Sequence, residues 1–326
     1  MKKFTHAWLA FMAIKRLEET KLSNTDRQYA NSLIKWFKDH KDGVTQGAWY
    51  PDSVIKDMAN SHVLKLTPSD EAENKFKLLP TTYLNYQYGK RSPLRKKSYT
   101  VEKSDNLPDR CESIAQSVID SLKMQEREHK GSPVSPTDNQ IALLLFMLSH
   151  YIADAHMPLH CDSRRFSEGN NIHRYIEGKW DDMISRYYLI DRDNERFFYD
   201  AAGYPLREVW KSGIDQEYQS SILKTVDDVL RDRKFIMSWG AKNHNAWDFM
   251  SAICQYSYLL SYRFISEEYD HTTVTVTNWQ SLGSISFDDF SVAVLSDAID
   301  SIARVWFRVW RRYMKWERKQ RARGNE

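Results

Sequence analysis

Apolar side chains recur at intervals of three and four along most of the chain, the spacing that lines one face of a helix. Leu9, Met12, Ala13 and Leu17 place an amphipathic helix near the start, and residues 29–37 repeat the pattern. The stretch Gly47-Ala48-Trp49-Tyr50-Pro51-Asp52 reads as a turn opening onto a helix over 54–63, with Pro51 setting the direction and Asp52 as cap. Positions 67–109 are polar and carry several prolines, so an irregular excursion is expected there. Helical spacing returns over 111–128, and a Gly-Ser-Pro-Val-Ser-Pro linker leads to Thr137 and Asp138, a helix start. Residues 141–157 are apolar enough for a central buried helix, which Pro158 stops. An irregular loop over 161–171, a helix over 172–188 and helical patterns over 215–235 and 245–266 follow. Alternating Thr and Val over 273–277 is the one clear strand signal, half of a hairpin inside a second excursion at 267–286. A last helix is expected over 287–321. The expected fold class is all-α: a compact multi-helix bundle in one domain over 1–326, with a small β-hairpin-like excursion.

Composition supports long helices, because Gly 11 and Pro 9 leave only 20 breakers in 326 residues, roughly half of average usage. Hydrophobic residues at 41% suffice for a large core and exclude disorder, while no apolar run approaches the roughly 20 residues that span a bilayer. The formal charge of +3 does not by itself mark a nucleic-acid binder, but residues 304–323 hold nine Lys and Arg against the single Glu317. The basic character is therefore C-terminal. Cys111, Cys161 and Cys254 are odd in number and widely spaced, so neither a disulfide framework nor a CxxC metal knot is expected. Lys2 and Lys3 followed by the apolar stretch 4–14 have the charged and apolar regions of an export signal. His6 interrupts that stretch and no small-x-small site follows, so no cleavable signal is recognised and a cytoplasmic location is favoured, with secretion as the alternative.

Candidate chemistry concentrates in Ser149-His150-Tyr151-Ile152-Ala153-Asp154-Ala155-His156-Met157-Pro158-Leu159-His160. On a helix His150 and Asp154 are four apart and share a face. An unpaired carboxylate inside an apolar helix is costly. A metal ion resolves the conflict, giving the Asp a counter-charge and accepting an imidazole nitrogen. Pro158 lets His160 turn back toward the same place, whereas His156 points elsewhere and is expected to be structural. His173 and Glu177 repeat the i, i+4 pair after the Gly169-Asn170-Asn171 turn, as paired donors do in helical zinc motifs. His6 lies on the first helix, and Asp52 and His62 bracket another. Nitrogen and carboxylate donors without thiolates suit zinc, with other divalent metals as alternatives. Either pair alone is more often a helix-stabilising hydrogen bond. The ordered set around a proline-terminated buried helix is the distinctive feature.

In that order, Thr5-His6-Ala7, Tyr50-Pro51-Asp52, His62, His150 to Asp154, Pro158-Leu159-His160 and His173-Arg174-Tyr175-Ile176-Glu177 resemble the zinc-dependent phospholipase C and S1/P1 nuclease superfamily. The resemblance covers most of residues 1–180 and continues more weakly at Asn243-His244-Asn245-Ala246-Trp247-Asp248. It implies a helical bundle around three zinc ions that hydrolyses phosphodiesters or phosphomonoesters. Carried over residue by residue, it implies one zinc held by Asp52, His62, His150 and Asp154. A second would use Asp154 as a bridge together with His6 and the N-terminus, where Met1 stands in place of the family's Trp. The third would use His160, His173 and Glu177. Glu177, where the nuclease branch typically has Asp, points to the phospholipase side. Ser53 stands where phospholipases often place an aromatic residue against choline, so phosphatidylcholine is not the expected substrate. No C-terminal membrane-binding β-sandwich of the toxin-like members is visible.

Ions so placed polarise phosphoryl oxygens and acidify a water, with Asp52 as the general base. The leading expectation is thus a zinc-dependent phosphodiester hydrolase of phospholipase C type. The alternatives are an S1/P1-like single-strand nuclease and a non-catalytic metal-stabilised binding protein. The expected partner is a phosphate ester, either a phospholipid head group or single-stranded nucleic acid. In the last helix Trp306, Val309, Trp310 and Tyr313 line one face, and Arg308, Arg311, Arg312 and Lys315 line the next. That arrangement suits an anionic surface or a nucleic-acid backbone. It equally suits an aromatic face packed on the bundle with its arginines in water. A metal-free binder relying on this tail would be indifferent to chelators.

Overall fold

Helix α1 (Lys3–Glu19) is buried on every side, without a break from Thr5 to Ile14. A helix apolar all round has to be wrapped by others. In this computed structural model, which describes residues 1–56, 62–68, 82–88, 99–101, 106–127, 135–237 and 245–324, the wrapping elements are α2 (Asn24–Asp39), α3 (Val44–Tyr50), α6 (Asp138–Ala155), α7 (Ile172–Tyr187) and α11 (Phe287–Gly324). The second central helix is α6, buried continuously from Leu145 to Ala155 and flanked by α3 and α5 (Leu107–Arg127). The fold is all-α, as expected. Among the described residues no helix is long and apolar enough to cross a membrane.

Local chemistry sets where α6 begins and how closely α3 approaches it. Thr137 accepts a hydrogen bond from the Gln140 amide and Gln140 reaches back to the Thr137 amide, a reciprocal cap. The helix ends at Ala155, three residues ahead of Pro158, which instead opens the 3-10 turn Pro158–His160. Against this helix a Cβ on Gly47 would lie 2.7 Å from the Phe146 Cβ, so only glycine admits the approach of α3. That approach brings the Ala48 carbonyl to His150.

Between α3 and α5 lie β1 (Leu66–Pro68), the short α4 (Tyr83–Tyr88) and β2 (Tyr99–Val101). The C-terminal helix α11 has 38 residues, about 57 Å at 1.5 Å per residue. Its aromatic face packs on the bundle. Trp306 and Trp310 are buried, and their indole N–H groups donate to the Leu145 carbonyl and the Ser32 hydroxyl. Arg311 pairs with Asp26 at 3.2 Å, while Arg312 and Lys315 are exposed. Near its middle α11 carries a buried ion network. Asp300 faces Arg16 of α1 at 2.8 Å and Arg233 at 2.9 Å, and Asp297 faces Arg233 at 2.6 Å and accepts from the Tyr83 amide.

Several expectations are corrected. Residues 273–277 form turns, because Asp270 accepts from the Thr272 amide and hydroxyl and Asn278 accepts from the Thr275 amide. Such local bonds compete with a sheet ladder. The hairpins lie elsewhere: β1 pairs antiparallel with β2, and β3 (Ile190–Asp191) with β4 (Arg196–Phe197). The pattern over 215–235 is two helices, α8 (Ile214–Gln219) and α9 (Ile222–Asp232), because Ser221 caps a fresh start by accepting from the Lys224 amide. Asp52 does not cap a new helix. It sits in a π-helical turn, Pro51–Ile55, that continues α3 and stops where Lys56 turns left-handed at φ 55°. The rest of the helix expected over 54–63 falls partly outside the described residues, as do Asn243, His244 and most of the 67–109 excursion.

Candidate metal centre

All nine residues singled out in the sequence converge. Asp52 arrives from the π-helical turn, His62 from the segment before β1, and His150 and Asp154 from one face of α6. His62 Nε2 lies 2.7 Å from His150 Nε2 and 3.1 Å from Asp52 Oδ1, while His150 Nε2 lies 3.2 Å from Asp154 Oδ2. On the other side His173 Nε2 lies 2.8 Å from His160 Nε2 and 2.7 Å from Glu177 Oε1. Between these groups sits the N-terminus. The Met1 ammonium donates to Asp154 Oδ1 at 2.9 Å and lies 2.7 Å from Glu177 Oε1, and His6 Nε2 lies 3.1 Å from the Met1 carbonyl and 3.4 Å from Asp154 Oδ1. Asp154 is shared, with Oδ1 toward Met1 and His6 and Oδ2 toward His62, His150 and His160.

Neighbouring groups and local caps position several of the donors. His150 Nδ1 lies 2.7 Å from the Ala48 carbonyl. A carbonyl only accepts, so Nδ1 carries the proton and Nε2 presents a lone pair to the centre. Asn171 adopts the left-handed region, which Asn tolerates, and caps α7 by accepting from the Arg174 amide, placing His173 in the first turn. His160 follows Leu159, whose carbonyl accepts from Lys65 Nζ at 2.7 Å. Just beyond, Arg164 grips the Asp162 carboxylate and the carbonyls of Ile265, Ser266 and Tyr269. The sequence reading missed Arg164 and Lys65. The Asp162/Arg164 spacing is a weak sign of the first, and nothing local marks the second, whose acceptors lie 94 and 97 positions away.

Burial and charge fix the protonation states. Burial is the largest influence on His6, and with the neighbouring His150 and N-terminus it holds the imidazole well below its ordinary pKa and therefore neutral. His160 is held low in the same way, by burial and then by His173. Burial opposes ionisation of Asp154 and Glu177, but the Met1 ammonium and the surrounding histidines hold both well below the usual carboxylate range. Burial would lower the Met1 amine, yet Asp154 and Glu177 raise it to about 11.

The donor set suits divalent ions. Among the described residues three groups have ligand atoms within 4.8 Å of one another: His6, Asp52 and His150; His62, His150 and Asp154; and His160, His173 and Glu177. His6 Nδ1 and His160 Nδ1 are buried without a hydrogen-bond partner among the described residues, as befits rings packed to present nitrogen donors rather than to satisfy each other. The set carries imidazoles and carboxylates and no thiolate, a zinc-compatible chemistry. Cys111, Cys161 and Cys254 are free and buried. His156 faces away, with Nε2 2.9 Å from the Ser301 hydroxyl, as expected of a structural histidine. The centre forms part of the wall of a cavity of about 1040 Å³ that Lys2, Phe4, Trp49, Asn106, Arg174 and Asp181 also line.

No family model and no curated protein matches the chain. Among solved structures it is similar to an alpha-toxin of Clostridium perfringens isolated from an avian strain, with 15% identity and a TM-score of 0.49 over 94% of this chain. The match covers 63% of the toxin chain, so this chain spans less than two thirds of its length.

Proposed function

We propose that the chain is a zinc-dependent phosphoric ester hydrolase, a phospholipase C-like phosphodiesterase. The observation that carries the reading is the convergence of five histidines, three carboxylates and the N-terminal amine, with Met1, Asp52, His62, Asp154, His160, His173 and Glu177 on the wall of one cavity. Asp52, His62, His150 and Asp154 would hold one ion, Asp154, His6 and Met1 a second, and His160, His173 and Glu177 a third. Ions held there would supply Lewis-acid polarisation of a phosphoryl oxygen and a more acidic water, chemistry suited to hydrolysing phosphate esters.

The chain's own residues supply the rest. The Asp52 side chain is 16% exposed against 12% for Glu177 and 2% for Asp154, so of the three carboxylates Asp52 has the most access to a water in the cavity and would take its proton at a side-chain oxygen. Asp154, buried and shared, fixes the spacing of the donors around it. His6 and His160 stay neutral, and the histidines would act as donors, His150 oriented by the Ala48 carbonyl.

Turnover of a 4-nitrophenyl phosphodiester by protein that retains Met1 tests this reading. Activity should vanish with a chelator and return with added Zn2+. Turnover indifferent to chelation, or none after zinc loading, would overturn it. Parallel assays on phospholipid vesicles and on a single-stranded oligonucleotide decide the branch, and preference for the oligonucleotide would select the nuclease alternative.

A further inference from the structure

Among the described residues four Lys and Arg side chains line the cavity, and two are already engaged. Lys65 donates to two backbone carbonyls, and Lys3 pairs with Glu195 at 2.6 Å. Lys2 and Arg174 have no carboxylate within ion-pair distance among the described residues. They also stand on one stripe. Arg174 and position 178 are four apart on α7, and the Lys2 ammonium lies 3.1 Å from where a Cβ on Gly178 would stand. Gly178 thus leaves room for the Lys2 ammonium against the helix, one turn from Arg174, beside the donors His173 and Glu177 on the adjacent stripe. Asp181, the nearby acid that feels the Lys2 charge, is already committed to the Thr5 amide and hydroxyl at 2.9 and 3.1 Å.

Resting on the hydrolase reading above, we infer that Lys2 and Arg174 form an anion-binding edge of the cavity, and that the substrate is a phosphodiester lipid whose head group bears a second phosphate. A guanidinium and an ammonium match a phosphate by charge and by donor geometry. A quaternary ammonium instead requires aromatic faces and negative charge, and here it would meet two like charges. The edge therefore selects against a choline head group as well as for an anionic one.

Binding separates this inference from catalysis. Calorimetric titration of the zinc-loaded protein with inositol 1-phosphate and inositol 1,4-bisphosphate compares ligands that differ by one phosphate. The bisphosphate should bind about tenfold tighter, and in the Lys2→Met, Arg174→Gln double variant the ratio should fall toward one. The second arm compares hydrolysis of phosphatidylinositol 4-phosphate and phosphatidylcholine vesicles, with the former faster by a similar factor and the preference lost in the variant. Equal binding of the two inositol phosphates, or a ratio the variant leaves unmoved, overturns the inference while leaving hydrolase activity on choline lipid intact. No turnover of any vesicle with the binding ratio preserved refutes the hydrolase reading and supports the anion edge. Faster cleavage of a single-stranded oligonucleotide than of either vesicle overturns the lipid assignment.

Discussion

Asp154→Ala is expected to abolish phosphodiester hydrolysis and metal loading together. The carboxylate is 2% exposed and stands between the Met1 ammonium, His6, His62, His150 and His160. Among the described residues no other carboxylate faces both the N-terminal amine and the His62/His150 pair. Its removal takes a shared negative donor from a buried centre and leaves an ammonium with Glu177 as its only carboxylate partner among the described residues. Metal ions contribute several kcal/mol to the transition state in such reactions, and each tenfold in rate is about 1.4 kcal/mol, so the loss should reach at least about 10³-fold. Elemental analysis beside the kinetic assay checks it, with far-UV circular dichroism to show that the helices remain. A variant that kept full zinc content with its helices intact would remove Asp154 from the assignment.

Asp300→Ala is expected to cost about 3–5 kcal/mol of folding stability, the range for breaking a buried ion pair from one side. Asp300 faces Arg16 of α1 and Arg233 at 2.8 and 2.9 Å, and both guanidinium groups are buried. Among the described residues, losing it leaves Arg16 without a carboxylate and Arg233 with Asp297 alone. The urea midpoint should fall while the slope of the transition stays constant. A shift worth less than about 0.5 kcal/mol, the scatter of ordinary surface changes, would contradict a network that joins α1 to α11.

The parts of the fold and centre legible in the sequence are those set by local spacing. His150 with Asp154 and His173 with Glu177 could be paired because four residues bring side chains to one helix face, and Thr137 with Asp138 announced the start of α6. The convergence of the separate elements was implied by resemblance and not by any local rule. What could not be read depends on distant partners. Arg16 and Asp300 are 284 positions apart, and the approach of α3 that orients His150 depends on Gly47 meeting Phe146. The Thr-Val alternation over 273–277 misled because the same threonines and Asp270 bond to their own backbone, an option that periodicity does not register. Asp52 was placed at a cap because Pro51 opens helices. Here Pro51 occupies the first position of a turn that prolongs α3, which its fixed φ also permits.

Elemental analysis of the purified, dialysed protein with Met1 as its first residue tests the central claim most directly. The three ligand sets proposed above predict about three zinc ions per chain, reduced when a residue is added ahead of Met1 and its amine is lost from the centre. Protein that binds no zinc after reconstitution, with its helical content intact, would contradict the account.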